Sequence, residues 1–127
     1  NIYNEYASKV ELNKIQTIQL LKKFKSEDKT IIGYGASSKG NTLLQYYGID
    51  NKLIEAIAER QPTKFGKFTP GTNIPIISEK EMRKINPDYL FVLPWHFISE
   101  FKEREKNFLA SGGKLIVPLP ELKIIGN

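Results

Sequence analysis

With 127 residues, 40% of them hydrophobic and 26% charged, the chain fits one globular domain with a single core and leaves no room for two. It has no cysteine, which excludes a disulfide framework, a thiolate metal site and a cysteine nucleophile, and it suits a reducing compartment, so a cytoplasmic location is expected. The net charge of +5 admits anionic ligands, but most lysines alternate with acids, as in Lys102-Glu103-Arg104-Glu105-Lys106, and no basic stripe is interleaved with aromatics, so nucleic acid is not an expected partner.

The N-terminus, NIYNEYASKVELNK, has no apolar core of the signal-peptide kind, and it lacks an initiating Met, which suggests a fragment or a processed chain. Residues from about 5 to 25 carry no Gly or Pro and set Val10, Ile15, Ile18, Leu21 and Phe24 near one face of a helix. Thr30 to Tyr34 is a short apolar strand. Ser37 or Ser38 is a suitable cap for a following helix, whose inward face would be Leu43, Leu44 and Tyr47 and whose end would be Gly48. Leu53 to Ala58 reads as a second strand. A loop rich in Pro, Gly, Thr and Lys runs from Glu59 to Asn73, and Ile74 to Ile77 is a third strand, placed at an edge by Pro75. Ser78 and Glu81 form a capping box for a helix over 79–85, stopped by Pro87. Tyr89 to Leu93 is a continuous apolar run, as in a strand buried on both faces. Phe97 to Leu109 reads as one helix, closed by Gly112-Gly113, and Lys114 to Val117 is the fifth strand. The tail, Glu121 to Asn127, is too short to assign. No stretch approaches the roughly 18 apolar residues of a membrane span, so no membrane partner is expected.

Strands alternating with helices imply an α/β fold: a Rossmann-like, three-layer domain with a mostly parallel five-stranded sheet of order 3-2-1-4-5 and an extra N-terminal helix. In such sheets ligands bind outside the carboxyl ends of the strands. Four features lie there. The turn Gly33-Tyr34-Gly35 leads into a helix whose unpaired N–H groups and dipole favour an anion, with Ser37, Ser38, Asn41 and Thr42 as added donors. It is neither of two known phosphate patterns. A dinucleotide fingerprint needs glycine at position 38, where Ser38 stands, and a P-loop needs lysine at position 41, where Asn41 stands. Glu59 with Arg60 is either a ribose contact or a solvated charge pair. The loop with Arg60, Lys64 and Lys67, which have no acid between them, is either a lid over phosphates or a basic surface loop. Trp95 and His96 are the only residues of their kinds, and a lone His without Cys points to no metal site.

The segments GYGASSKGNTLLQYYGI, ER-P-K-GK-TPGT-IPI, PDYLFVLPWHF and GGKLIVPLPEL, in that order over nearly the whole chain, resemble the C-terminal domain of sugar C-methyltransferases. These are S-adenosylmethionine-dependent enzymes acting on nucleotide-linked deoxysugars. The resemblance implies that the chain is the last part of a larger protein with an upstream zinc-binding domain and a central domain that binds S-adenosylmethionine. It implies a nucleotide-diphosphate sugar as ligand and no cofactor bound by this domain itself. Carried over by position, Gly35, Ala36, Ser37, Ser38, Lys39, Gly40, Asn41 and Thr42 would cradle the diphosphate. Arg60, Lys64 and Lys67 would close over it, and Trp95 and His96 would line the sugar side. Glu59 stands where many relatives have Asp, which leaves ribose contact there open. The resemblance also implies that the methyl-transfer base lies in the central domain, so no catalytic residue is assigned here, and the domain is not expected to be catalytic alone. The other readings are an NAD(P)-type dinucleotide-binding module and a structural or interaction domain.

Overall fold

A computed structural model describes residues 2–127. The Gly- and Pro-free opening forms α1, Ile2–Ser26. Its buried stripe runs through Thr17, Leu21 and Phe24, not through Ile15, which is 44% exposed. At 3.6 residues per turn, Ile15 lies roughly 160° around the helix from Thr17, so it sits on nearly the opposite side and does not belong to the expected face.

The central strand β1, Ile31–Tyr34, is buried throughout and is followed by α2, Ser38–Tyr47. Strands β2, Ala56–Glu59, and β3, Ile76–Ser78, lie on one side of it. Leu53 and Ile54, expected in the second strand, instead belong to a turn in which both backbone N–H groups donate to Asp50 O. Helix α3, Glu79–Ile85, is capped by Ser78, whose side chain accepts from Glu81 N, as the capping box predicts. Strands β4, Tyr89–Val92, and β5, Lys114–Val117, lie on the other side of β1.

The order β3-β2-β1-β4-β5 agrees with the sequence expectation, and these five strands are parallel. The sheet has six strands, not five: Lys123–Ile125 forms β6, antiparallel to β5. Three residues carry too little periodicity to mark a strand; the free edge of β5 supplies the partners. The expected helix over 97–109 is also two helices, α4, Ile98–Arg104, and α5, Lys106–Ala110, broken at Glu105.

Alternating strand residues feed two cores. Ile31, Ile57, Phe91, Leu93 and Ile116 face α1 and α2. Ile32, Tyr34, Ala58, Leu90, Val92 and Leu115 face α3, α4 and α5. The result is a three-layer sandwich with the carboxyl ends of the parallel strands left to loops. Among the described residues, no helix is long and apolar enough to cross a membrane.

The segment between β2 and β3 is a folded wall and not a loose lid. Gly66 N donates to Ile76 O, Ile76 N donates to Lys67 O, and Phe68 bridges Pro75, so residues 66–68 run antiparallel along the outer edge of β3. Gln45 Nε2 donates to Pro70 O at 2.7 Å and ties the wall to α2. Inside it, the Thr69 and Thr72 hydroxyls are paired and buried, and Thr69 Oγ1 also accepts from Ile74 N.

Candidate functional site

The turn after β1 depends on glycine. Gly35 has φ 87°, and a Cβ there would come within 2.8 Å of the Pro94 ring. Its N–H donates to Ala58 O at 2.8 Å, which keeps the turn against the end of β2. One residue on, Ala36 N donates to Glu59 Oε1 at 2.9 Å. The other oxygen of Glu59 accepts from Arg60 N and Gln61 N. Glu59 is therefore not a mere solvated pair with Arg60, since both of its oxygens are engaged by backbone N–H groups. It is a brace between the end of β2 and the glycine turn. Lys64 closes the same corner: its Nζ donates to Ala36 O at 2.8 Å and leaves two N–H donors for other partners.

Ser37 caps α2, with its Oγ accepting from Gly40 N at 3.0 Å. The first-turn N–H groups of Ser38 and Lys39 have no partner within the helix, as helix N-termini dictate. Gly40 is buried: a Cβ on it would lie 2.5 Å from Leu93 Cβ, so it lets α2 pack close to the end of β4.

The first turns of α2 divide the site in two. Ser38 and Asn41, three residues apart, face a cavity of about 210 Å³. Its floor is Leu44, Ile57, Ile76 and Leu93, and its far wall is Lys64, Thr69 and Pro70. Asn41 Oδ1 is the one buried side-chain polar atom among the described residues without a hydrogen-bond partner. Lys39, Thr42 and Leu43 turn the other way, to a groove of about 500 Å³ shared with Trp95, His96, Tyr46 and Tyr6. Trp95 and His96 stack with ring centroids 4.9 Å apart.

The expected residues are thus sorted by the structure. Ala36, Ser37, Ser38, Asn41 and Lys64 share the cavity; Lys39, Thr42, Trp95 and His96 share the groove. Gly35 and Gly40 shape the turn with contacts of their own. Arg60 and Lys67 line neither space and are exposed. Among the described residues no cluster of three His, Cys, Asp or Glu side chains is arranged to hold a metal.

One buried constellation escaped the sequence reading. Glu105 is 2% exposed, and its Oε2 accepts from Tyr34 Oη and from Arg83 NH2, each at 2.7 Å. Arg104 Nε donates to Tyr34 Oη at 2.8 Å, and Arg104 NH2 pairs with Glu79 at 3.0 Å. The network ties the residue before Gly35 to α3 and to the α4–α5 junction. It also raises the pKa of Tyr34, through burial first, then through the Glu105 hydrogen bond and the charges of Glu105 and Glu79; the Arg104 hydrogen bond acts against them. A phenol with a raised folded pKa keeps its proton where the unfolded chain, with an ordinary value of about 10, loses it. Its stabilising contribution is complete below about pH 10 and is lost as pH rises beyond that. Urea unfolding at pH 9 and pH 11 should show a loss of stability that is smaller in Tyr34→Phe; an equal loss in both would refute the assignment.

Comparison with known proteins places this geometry. Residues 1–120 match the C-methyltransferase C-terminal domain family. The chain is also similar to the C-methyltransferase NovU of Streptomyces niveus, 37% identical over 123 residues. That alignment covers 97% of this chain and 29% of NovU, so the chain spans less than a third of the length of that relative. A mostly parallel sheet with a glycine turn at its central strand, matched to one family over nearly all its length, leads to one assignment: the chain belongs to the C-methyltransferase C-terminal domain family.

Proposed function

We propose that the chain is the nucleotide-sugar-binding part of an S-adenosylmethionine-dependent C-methyltransferase that acts on keto-deoxysugars linked to a nucleoside diphosphate. In the full protein this single domain would follow the zinc-binding and methyltransferase parts. The observation that carries the reading is the meeting of Lys64 Nζ, held on Ala36 O at 2.8 Å, with the first turn of a ten-residue helix. An ammonium with two unused donors beside unpaired helix N–H groups is a site for a phosphate-type anion.

The diphosphate would lie against the N–H groups of Ser38 and Lys39 with Lys64 and the Lys39 side chain as counter-charges. The Ala36 N–H is already taken by the Glu59 carboxylate and would not contribute. Holding both phosphates fixes the attached sugar in place for a reaction centre on another domain, a positioning role. There, a proton would leave the carbon next to the sugar ketone, the electron pair left behind would form a bond to the methyl carbon of S-adenosylmethionine, and the sulfonium would depart as a thioether. This domain would supply neither the base nor the methyl donor.

Titration with a thymidine diphosphate-sugar tests the reading. Lys64→Ala should weaken binding about 10- to 100-fold, the worth of one or two charge-assisted hydrogen bonds. Arg60→Ala and Lys67→Ala, at exposed cations, should change it less than about threefold at physiological salt. No binding, or no loss in either Lys64→Ala or Lys39→Ala, would overturn it.

A further inference from the structure

We infer that the first three turns of α1, with the groove beside them, are the surface on which the preceding part of the same polypeptide docks. The inference rests on the reading above only in taking further domains to come before this one; it adds where they sit.

Helix α1 outruns the sheet that it covers. Its 25 residues span roughly 37 Å, whereas a four-residue strand such as β1 spans roughly 13 Å. Residues 27–30 lead from its C-terminal end to the amino end of β1, so its N-terminal turns reach past the carboxyl ends of the strands. Asn13 fastens the helix to the body of the domain: its side-chain amide donates to Pro118 O at 2.8 Å and its Oδ1 accepts from Tyr47 Oη. The buried stripe of Thr17, Leu21 and Phe24 does not end there. Val10, Tyr6 and Ile2 carry it onward in steps of four residues, each turning it by roughly 40°. Yet Tyr6 is 71% and Ile2 84% exposed. Leu12 and Ile15 are exposed on the flanks, so four of the ten exposed large hydrophobic side chains among the described residues fall within 2–15. A helix that is apolar on more than one side is normally enclosed.

The groove of about 500 Å³ extends this surface. Tyr6 and Val10 line it from α1, Tyr46 and Tyr47 from α2, and Trp95 from the segment after β4. Tyr and Trp are the anchors that protein interfaces favour. Connectivity selects the occupant. The matched family is a C-terminal domain, and more than two-thirds of NovU lies outside the aligned part. A preceding chain joins this one next to Ile2, at the tip of the overhang, and so emerges beside the apolar stripe. Tethered there, it meets the surface at an effective concentration that no second copy matches.

Hydrogen exchange of the full-length protein tests the docking, read at the amides of residues 6–12, which are bonded within the helix. They should exchange at least tenfold more slowly in the native protein than in the Ile2→Ala/Tyr6→Ala double variant. The slowing should persist on about 100-fold dilution, since an intramolecular contact does not depend on concentration. Both side chains are largely exposed in this domain, so its fold should survive, with unchanged exchange in β1 and β4 as the control. Alanine is the better helix former, so faster exchange reports lost docking and not a weakened helix. Ile85→Ala, at an exposed apolar residue of α3, should leave residues 6–12 as slow as in the native protein. Equal exchange in the native protein and the double variant would overturn the docking, and slowing that fades on dilution would assign the surface to a second copy instead. No ligand enters this measurement, so a failure to bind sugar nucleotide would remove the proposed function and leave the docking standing.

Discussion

Glu105→Ala is expected to destabilise the fold by about 3 kcal/mol, lowering the melting temperature by roughly 10 °C for a domain of this size. Glu105 is 2% exposed and takes hydrogen bonds from Tyr34 and Arg83. Its removal leaves the hydroxyl proton of buried Tyr34 without its acceptor and opens a void at the α4–α5 junction. Arg83 is half-exposed and can turn to solvent, which keeps the loss below the most that breaking a buried pair can cost. Glu105→Gln retains the shape and one acceptor and should cost about 1 kcal/mol. Thermal melts of the two variants give the comparison. Equal, small losses would mean that the network contributes nothing beyond packing.

Gly40→Ala should also be damaging, against the usual rule. In an exposed helix interior, exchanging Gly for Ala stabilises by about 1 kcal/mol. At Gly40 the added methyl would sit 2.5 Å from Leu93 Cβ, an atom fixed to the backbone at the end of β4. Neither side can yield by a rotamer change, so α2 must move off the sheet, at a cost of about 2 kcal/mol net of the propensity gain. The same movement displaces Ser38, Lys39 and Asn41. Binding of a thymidine diphosphate-sugar should therefore fall about tenfold or more at temperatures where the variant is still folded. A variant that melts higher than the native protein would contradict the packing argument.

Gly40 also shows how far the sequence could be read. Ser38 broke the dinucleotide pattern because the third glycine was sought at position 38; in the structure the close helix–strand approach is made two residues later, at Gly40. Strand order was legible because each parallel strand is a short, mostly apolar run, and the helices between them are bounded by caps and breakers such as Ser78 and Gly48. The break at Glu105 was not legible, because Lys102 to Lys106 looks like any solvated charge pattern until Tyr34 and Arg83 are brought beside it. The same holds for the site. Residues local to the glycine turn were identified from the turn itself. That Lys64 reaches Ala36 while Arg60 and Lys67 do not depends on the wall pairing with β3, a contact no local pattern encodes.

That pairing has a consequence for solubility. An exposed parallel strand is a template on which a second chain can add itself, and β3 and β5 would be such templates if left bare. Residues 66–68 cover one and β6 covers the other, each running in the opposite direction to the strand that it shields. The outermost segments are three residues long and carry Lys67 and Lys123, a poor seed for further stacking. Copies of the domain can therefore be crowded together without stitching their sheets into a fibre.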